Sequence, residues 1–401
     1  MSQRCPVQRL KVVWPSAKTA FLPRVFKGTL TAVAACALLA ACNSPPKIVP
    51  AELTQIQSTR GAKTVWSTGV GGGGDRPAVR FAPFVTETSV YTASASGKVS
   101  AVSRETGQAL WSVNVGRPLT AGISGDSSLL FVATGDGEVF SLRREDGTRV
   151  WSARVASEVI ASPVAGPDHV VVRSIDGKVY SLDKNTGRQR WRFSYKVPAL
   201  SLHGNGRPLV GSDGVLVGLD NGKLVALHGA DGQVSWELSL SEGGGRSEVE
   251  RLNDLDADIR AGGKYVYAVN YQGTLAQIDP SRGSARWMAN MSSSAGLAVS
   301  DEIVVVTDEF DTVWGLSTAD GSVLWEQDAL TYRKLTAPAV VDESTIAVGD
   351  FDGYLHLLSL ADGALIGRHK VGSGQIMSQP VIRDGQGYVQ LRGGRLAAIS
   401  F

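Results

Sequence analysis

Apolar and polar positions along most of the chain alternate in short runs bounded by turn residues. One phrase recurs: (D/N)-G-x-(V/L)-x-x-(L/I)-x-x-x-(T/D)-G-x-x-x-W. A clean copy runs from Asp176 and Gly177 through Val179 and Leu182 to Thr186, Gly187 and Trp191. Its first turn position falls at Gly97, Gly137, Gly177, Gly222, Gly273, Asp311, Gly353 and Gly394, at intervals of 40, 40, 45, 51, 38, 42 and 41 residues. Apolar residues follow in register, from Val99 and Val102 in the first copy to Leu396 and Ile399 in the last. A fixed period of this length marks an array of one supersecondary unit. The Asp-Gly or Asn-Gly pair supplies the positive φ of a tight hairpin turn, and the run after it has the period of a strand. A second glycine, as at Gly107, Gly147 and Gly187, makes the next turn, and another apolar run, such as 170–172 or 303–306, precedes each phrase. Four short antiparallel strands per repeat make a propeller blade. The predicted fold is all-β, an eight-bladed β-propeller of four-stranded antiparallel blades.

The eighth copy reaches Phe401 before its second glycine and tryptophan, and the missing strand lies at the other end, around Val65, Trp66 and Ser67. N- and C-terminal strands are therefore expected to share the last blade, which removes free edges. Trp111, Trp151, Trp191, Trp236, Trp287 and Trp325 are expected to pack between neighbouring blades. Gly367 stands where the seventh copy should have tryptophan, so that junction is expected to be the most loosely packed.

The first residues follow a different pattern. Arg4, Arg9, Lys11, Lys18, Arg24 and Lys27 precede an apolar run at 30–41, and no acid occurs before Glu52. The run is shorter than the ~20 residues a membrane span needs, and its flanks suit a secretory signal. It ends in Leu39-Ala40-Ala41-Cys42, which is similar to the lipobox of bacterial lipoproteins. That resemblance implies cleavage before Cys42 and lipidation of Cys42 by several acyl chains, palmitate among them, enough for stable anchoring. Asn43, in place of the Asp that favours inner-membrane retention, points to the outer membrane. A translation start downstream of Met1, for instance at Val25, also fits the length of this segment. The expected organisation is a signal peptide over 1–41, a lipidated cysteine and flexible tether over 42–57, and the propeller over 58–401.

Composition narrows the function classes. With 43% hydrophobic residues, 46 glycines and 9 tryptophans the chain is globular. It carries 40 basic and 38 acidic side chains; without the six basic residues of 1–42 the balance is 34 to 38, a net of about −4. Nothing there suggests nucleic-acid binding. Cleavage would also remove Cys5 and Cys36, leaving Cys42 and no disulfide, so stability must rest on the core and ring closure.

The two longest repeat intervals are consecutive, with their extra residues at 195–213 and 242–260. Insertions in repeat arrays emerge as loops on one face, so these two should be neighbours. The first carries Leu200 and Leu202; the second carries Glu242, Glu248, Glu250, Asp254, Asp256 and Asp258. An apolar anchor beside an acidic patch suits a protein partner with a basic, partly apolar surface. The alternative is a pair of solvated loops with the leucines turned inward.

Other chemistry is weakly represented. Asp254, Asp256 and Asp258 open like a calcium loop, but Ile259 and Tyr265 occupy the positions that need Gly and Glu. Gly69, Gly71 and Gly74 match a dinucleotide fingerprint by letter, yet Asp75-Arg76-Pro77 breaks any following helix. The five histidines lack metal-ligand spacing. No catalytic residue, metal or cofactor is expected.

The blade phrase resembles the repeat of quinoprotein dehydrogenases, eight-bladed enzymes that bind pyrroloquinoline quinone. Lipobox and repeats together more closely resemble the BamB family of outer-membrane lipoproteins, over essentially all of the mature chain. The segment at 247–256, Ser-Glu-Val-Glu-Arg-Leu-Asn-Asp-Leu-Asp, is similar to that family's E-x-x-R-L-x-D-x-D signature. The segment at 198–204 is similar to a second signature, with His203 where the family usually has Arg, and Asp350 to His356 also fits. The resemblance implies a non-enzymatic scaffold of the β-barrel assembly machinery, at the periplasmic face of the outer membrane. It would dock on the POTRA domains of the barrel subunit BamA and aid folding and insertion of outer-membrane proteins, with unfolded forms of these as further partners. It places Leu200, Leu202, His203, Asp254 and Asp256 at the BamA contact. One alternative is a pyrroloquinoline-quinone-dependent dehydrogenase-like propeller, although the chain lacks the adjacent cysteines of many such enzymes and long insertions to build a pocket. Another is a ligand-binding propeller using its central channel.

Overall fold

A computed structural model describes residues 49–72, 80–198, 201, 206–240, 254–255, 257–271 and 273–401. Eight four-stranded antiparallel sheets follow one another around a ring, with no helix among the described residues. Blades 1 to 7 span 84–114, 124–154, 164–194, 209–239, 260–290, 296–327 and 339–370, each built from the inner to the outer edge in chain order. Innermost strands of neighbouring blades touch, as between blades 5 and 6 and between blades 8 and 1.

The two middle strands of a blade are buried on both faces, because another blade covers each side. Leu129–Ala133 is buried throughout, and Lys178–Asp183 is buried at its four central residues. Such strands read as continuous apolar runs. Outer strands alternate instead, as Val234–Ser239 does. The core is thus distributed between blades: Phe131 and Trp151 of blade 2 pack with Val170, Val172 and Leu182 of blade 3.

The outer strand carries a one-residue bulge directly before its tryptophan. Ala101 pairs with Trp111 and Val102 with Ala109, so Leu110 is left over. The same shift recurs at Val150, Arg190, Leu324 and Ile366. A bulge re-aims the next side chain. Here it leaves Leu110, Val150 and Leu324 exposed while the indole faces the next blade. Trp151 donates through Nε1 to the Lys184 carbonyl at 2.8 Å. Its ring covers Gly187, which has φ +70, and a Cβ there would come within 2.6 Å of the indole. Trp66, Trp111, Trp191, Trp236, Trp287 and Trp325 dock on Gly107, Gly147, Gly232, Gly283, Gly321 and Gly363 in the same way. The expected tryptophan packing is present and extends to Trp66.

Blade 8 takes its outermost strand from Lys63–Gly69, in the order Lys63–Gly69, Arg395–Ser400, Gln386–Gln390, Val381–Arg383. Lys63 lies opposite Ser400 and Thr68 opposite Leu396, so both ends of the described chain close the ring as the repeat required.

The junction between blades 7 and 8 differs from expectation. Gly367 does not leave a gap. The Arg60 carbonyl occupies the space a side chain there would need. Thr59 and Arg60 both donate backbone N–H to the Ile366 carbonyl, at 2.9 and 3.0 Å, and Arg60 pairs with Asp342 at 2.6 Å. The glycine is what admits this segment. The chain ahead of it is also held. Ala51 donates to the Thr331 carbonyl at 2.9 Å, Arg333 donates to the Ala51 carbonyl and Arg368 to the Thr54 carbonyl, each at 2.9 Å. The flexible tether expected over 42–57 therefore gives way to docked chain from Ala51.

Arg333 and Arg368 belong to a buried network. Arg333 donates from Nε and Nη2 to Asp350 at 2.9 and 2.7 Å, and His356 Nε2 meets the same carboxylate at 3.1 Å. Arg368 Nε can only donate, so His356 Nδ1 at 3.2 Å must accept, and the proton sits on Nε2. Burial pushes the His356 pKa down, which outweighs the pull of Asp350 and matches that neutral tautomer. The Asp350 to His356 segment thus fastens the N-terminal segment to blade 7.

Candidate functional site

The two insertions sit in consecutive connections from an outer strand to the next inner strand, on either side of blade 4. Tyr195 at the start of the first is fixed by a buried ion pair between blades: Arg173 contacts Asp220, and the Tyr195 hydroxyl donates to Asp220 at 3.1 Å. Further on, the two connections bond to each other. Ser201 Oγ donates to Asp254 at 2.7 Å. Arg207 donates its backbone N–H to Asp258 Oδ1 at 2.9 Å, and Nε and Nη2 to Oδ2 at 2.9 and 2.7 Å. Leu255 lies against Gly218, where a Cβ would come within 2.7 Å of the Leu255 Cβ. The expected adjacency of the insertions is observed.

The two described acids of the second insertion, Asp254 and Asp258, are turned away from solvent. Asp254 is fully buried and Asp258 is mostly turned into the structure. Burial opposes ionisation of Asp258, but the charges of Arg207 and Arg260 and the hydrogen bonds from Arg207 outweigh it. Its carboxyl is held well below the usual carboxylate range. Among the residues expected at a partner contact, Asp254 is therefore a strut between the insertions. Leu200, Leu202, His203 and Asp256 lie outside the described residues, as do Cys42, Glu242, Glu248 and Glu250.

Inward from the insertions, the connections surround a cavity of ≈ 430 Å³ on the ring axis. Its lining comes from the inner ends of blades 1 and 4 to 8, with Ile160 and Ser162 from the connection ahead of blade 3. Charges among its described lining residues are Arg80, Arg207, Arg260 and Asp258. Arg260 Nη2 reaches across the channel to Gln379 Oε1, and Gln379 Nε2 continues to the Pro338 carbonyl. From the other side Arg80 donates to the Ala295 and Ser294 carbonyls at 3.1 and 2.8 Å. Of these residues sequence reasoning singled out Asp258 alone, as one acid of the second insertion. A signal existed: Arg207 and Asp258 are 51 residues apart, the same as the repeat interval from Gly222 to Gly273, so they hold matching places in successive blades.

The comparisons agree with this architecture. The family profile described as outer membrane protein assembly factor BamB matches residues 95–327 and 319–401. A protein of that description from Pseudomonas aeruginosa is 45% identical over 369 residues, covering 92% of this chain and 97% of its own. Its counterpart from Alkalilimnicola ehrlichii is 44% identical over 378 residues, covering 94% and 98%. The crystal structure of BamB from Moraxella catarrhalis superposes with a TM-score of 0.78 at 27% identity, over 85% of this chain and all of that one. A quinohemoprotein alcohol dehydrogenase from Comamonas testosteroni shares the fold alone, with a TM-score of 0.67 at 12% identity, over 84% and 76%. With its blades, its closure and its near-full-length relatives all in agreement, the chain belongs to the BamB family of outer membrane protein assembly factors.

Proposed function

We propose that the chain is a non-enzymatic scaffold of the machinery that assembles β-barrels in the outer membrane. It is held at the periplasmic face by lipid on Cys42 and docks on the POTRA domains of a BamA-like subunit. The observation that carries the docking site is the cross-linking of the two insertions through Ser201–Asp254 and Arg207–Asp258. Cross-links between the insertions reduce the conformational freedom lost on binding, which favours affinity. Leu200 and Leu202 would supply the apolar anchor, and His203, Asp254 and Asp256 would complete the contact, Asp254 by holding the loops in register. Bound barrel precursors are further partners in this reading.

The test is titration of the purified POTRA segment of BamA against the wild-type chain and a Leu200→Ala/Asp256→Ala variant. An anchoring residue in an interface core contributes about 2 kcal/mol or more, and an interfacial carboxylate can add as much. The double variant should bind more weakly by about 10²-fold or more, with its unfolding temperature unchanged. Equal affinity in a folded double variant would show that docking occurs elsewhere. Separately, Cys42→Ser should release the protein from outer-membrane fractions.

A further inference from the structure

Among the described lining residues of the axial cavity, Arg260 is poorly compensated. Arg207 takes both oxygens of Asp258. Arg260 is left with a 3.4 Å contact to the same carboxylate and a neutral partner in Gln379. Its Nε is buried with no hydrogen-bond partner. Burial pushes the Arg260 pKa down, ahead of the opposing pull of Asp258, as expected for a guanidinium short of compensation. No acid but Asp258 is among the described lining residues. A second group points to the same place. Ser378 lines the cavity beside Gln379, is 94% buried, and its Oγ has no partner. A buried hydroxyl and a buried guanidinium N–H without partners each carry a desolvation cost that a ligand acceptor would remove.

We propose that this cavity is a binding site for a small oxyanion, a carboxylate or phosphate group received by Arg260 and Ser378. A guanidinium presents parallel N–H donors that match the oxygens of such groups, and a hydroxyl supplies one more. The volume, ≈ 430 Å³, admits a solute of the size of citrate or a short acidic side chain. The proposal does not depend on the docking surface, since no residue of the POTRA contact is used.

Calorimetric titration of the full chain with inorganic phosphate and with citrate, at constant ionic strength set by sodium chloride, tests it. Saturable binding of one anion per chain by at least one probe is expected. Arg260→Gln should weaken it tenfold or more and Ser378→Ala about threefold, while Arg149→Gln on the exposed edge of blade 2 should leave it unchanged. Ser378→Ala removes one oxygen and keeps the measurement decisive if Arg260→Gln does not fold. A blocked Gly-Asp-Gly peptide run beside the free anions shows the source: tighter binding of the peptide assigns the group to a protein side chain, tighter binding of citrate or phosphate to a free solute. No saturable binding by any of the three, or equal binding by wild type, Arg260→Gln and Ser378→Ala, overturns the proposal.

Discussion

Asp311 stands at the turn position where the other copies of the repeat have glycine, and it keeps the left-handed backbone, with φ 66°. Aspartate tolerates that region better than most residues. Its carboxylate is used: it accepts the backbone N–H of Lys334 at 2.7 Å and of Leu335 at 2.8 Å. That holds a facing loop in which Tyr332 and Lys334 also have positive φ. Burial raises the Asp311 pKa to about 6, with Asp308 adding to the effect, while the two N–H groups and Lys334 oppose it. Glu309 and Arg80 line the same hollow. A carboxyl whose folded pKa lies above its unfolded value binds its proton more tightly in the native state. Its contribution to stability is therefore present below about pH 4 and is lost as pH rises towards 6. The upper limit is about 3 kcal/mol, and partial exposure reduces the expectation to about 1 kcal/mol. Urea unfolding of wild type and Asp311→Asn at pH 4 and pH 7 should show the variant gaining on wild type by about that amount at the higher pH. A gap independent of pH would mean that Asp311 does not titrate in this range. Asp258 has the opposite sign, because its folded pKa is depressed. Its stabilisation is present above pH 4 and is lost as pH falls further. Asp258→Asn should cost about 2 kcal/mol at pH 7, since it leaves two arginines facing each other, and the cost should shrink towards pH 2.

At the scale of elements, the blade was legible because its parts are local. Turn glycine, strand period and outer tryptophan lie within one 16-residue phrase, from Asp176 to Trp191. Seven described tryptophans sit where that phrase puts them. The insertions were only half legible. Their adjacency follows from repeat spacing, but the inward turn of Asp254 and Asp258 depends on Ser201 and Arg207, more than 50 residues away in sequence. Local composition shows acids there and cannot show their partners. The cover over Gly367 was missed for the same reason, because Arg60 is some 300 residues distant. This last case gives a sharp expectation. If the missing tryptophan were a defect, Gly367→Trp would repair the repeat and stabilise the protein. Because the Arg60 carbonyl fills that space, the indole must expel the 59–61 segment, and overpacking of this kind costs about 1–3 kcal/mol. Gly367→Trp should lower the unfolding temperature and speed protease cleavage near Arg60. At a regular junction, Gly187→Ala should cost about 2–4 kcal/mol, combining a left-handed backbone with a Cβ driven into Trp151.

For the whole molecule, stability rests on every blade being covered on both sides, and blade 8 is the one assembled from the two ends of the sequence. Arg395–Ser400 lies between Lys63–Gly69 and Gln386–Gln390. Leu396, Ala397, Ala398 and Ile399 are fully buried. Removing 395–401 takes away two apolar side chains worth about 1.5–3 kcal/mol each, and leaves Lys63–Gly69 without a strand to pair with. That strand carries Trp66, which docks on Gly107 of blade 1, so the junction between blades 8 and 1 fails as well. The combined loss reaches the range of a domain's entire stability, about 5–15 kcal/mol. The variant should lose its cooperative thermal transition and elute as an expanded or aggregated species. Truncation of the chain ahead of Thr59 is the matched control. It removes the bonds to Ala51 and Thr54 but keeps all four strands of blade 8, and should cost about 1–3 kcal/mol with the transition still cooperative. A C-terminal deletion that unfolds no earlier than this control would mean that the two ends do not close the ring.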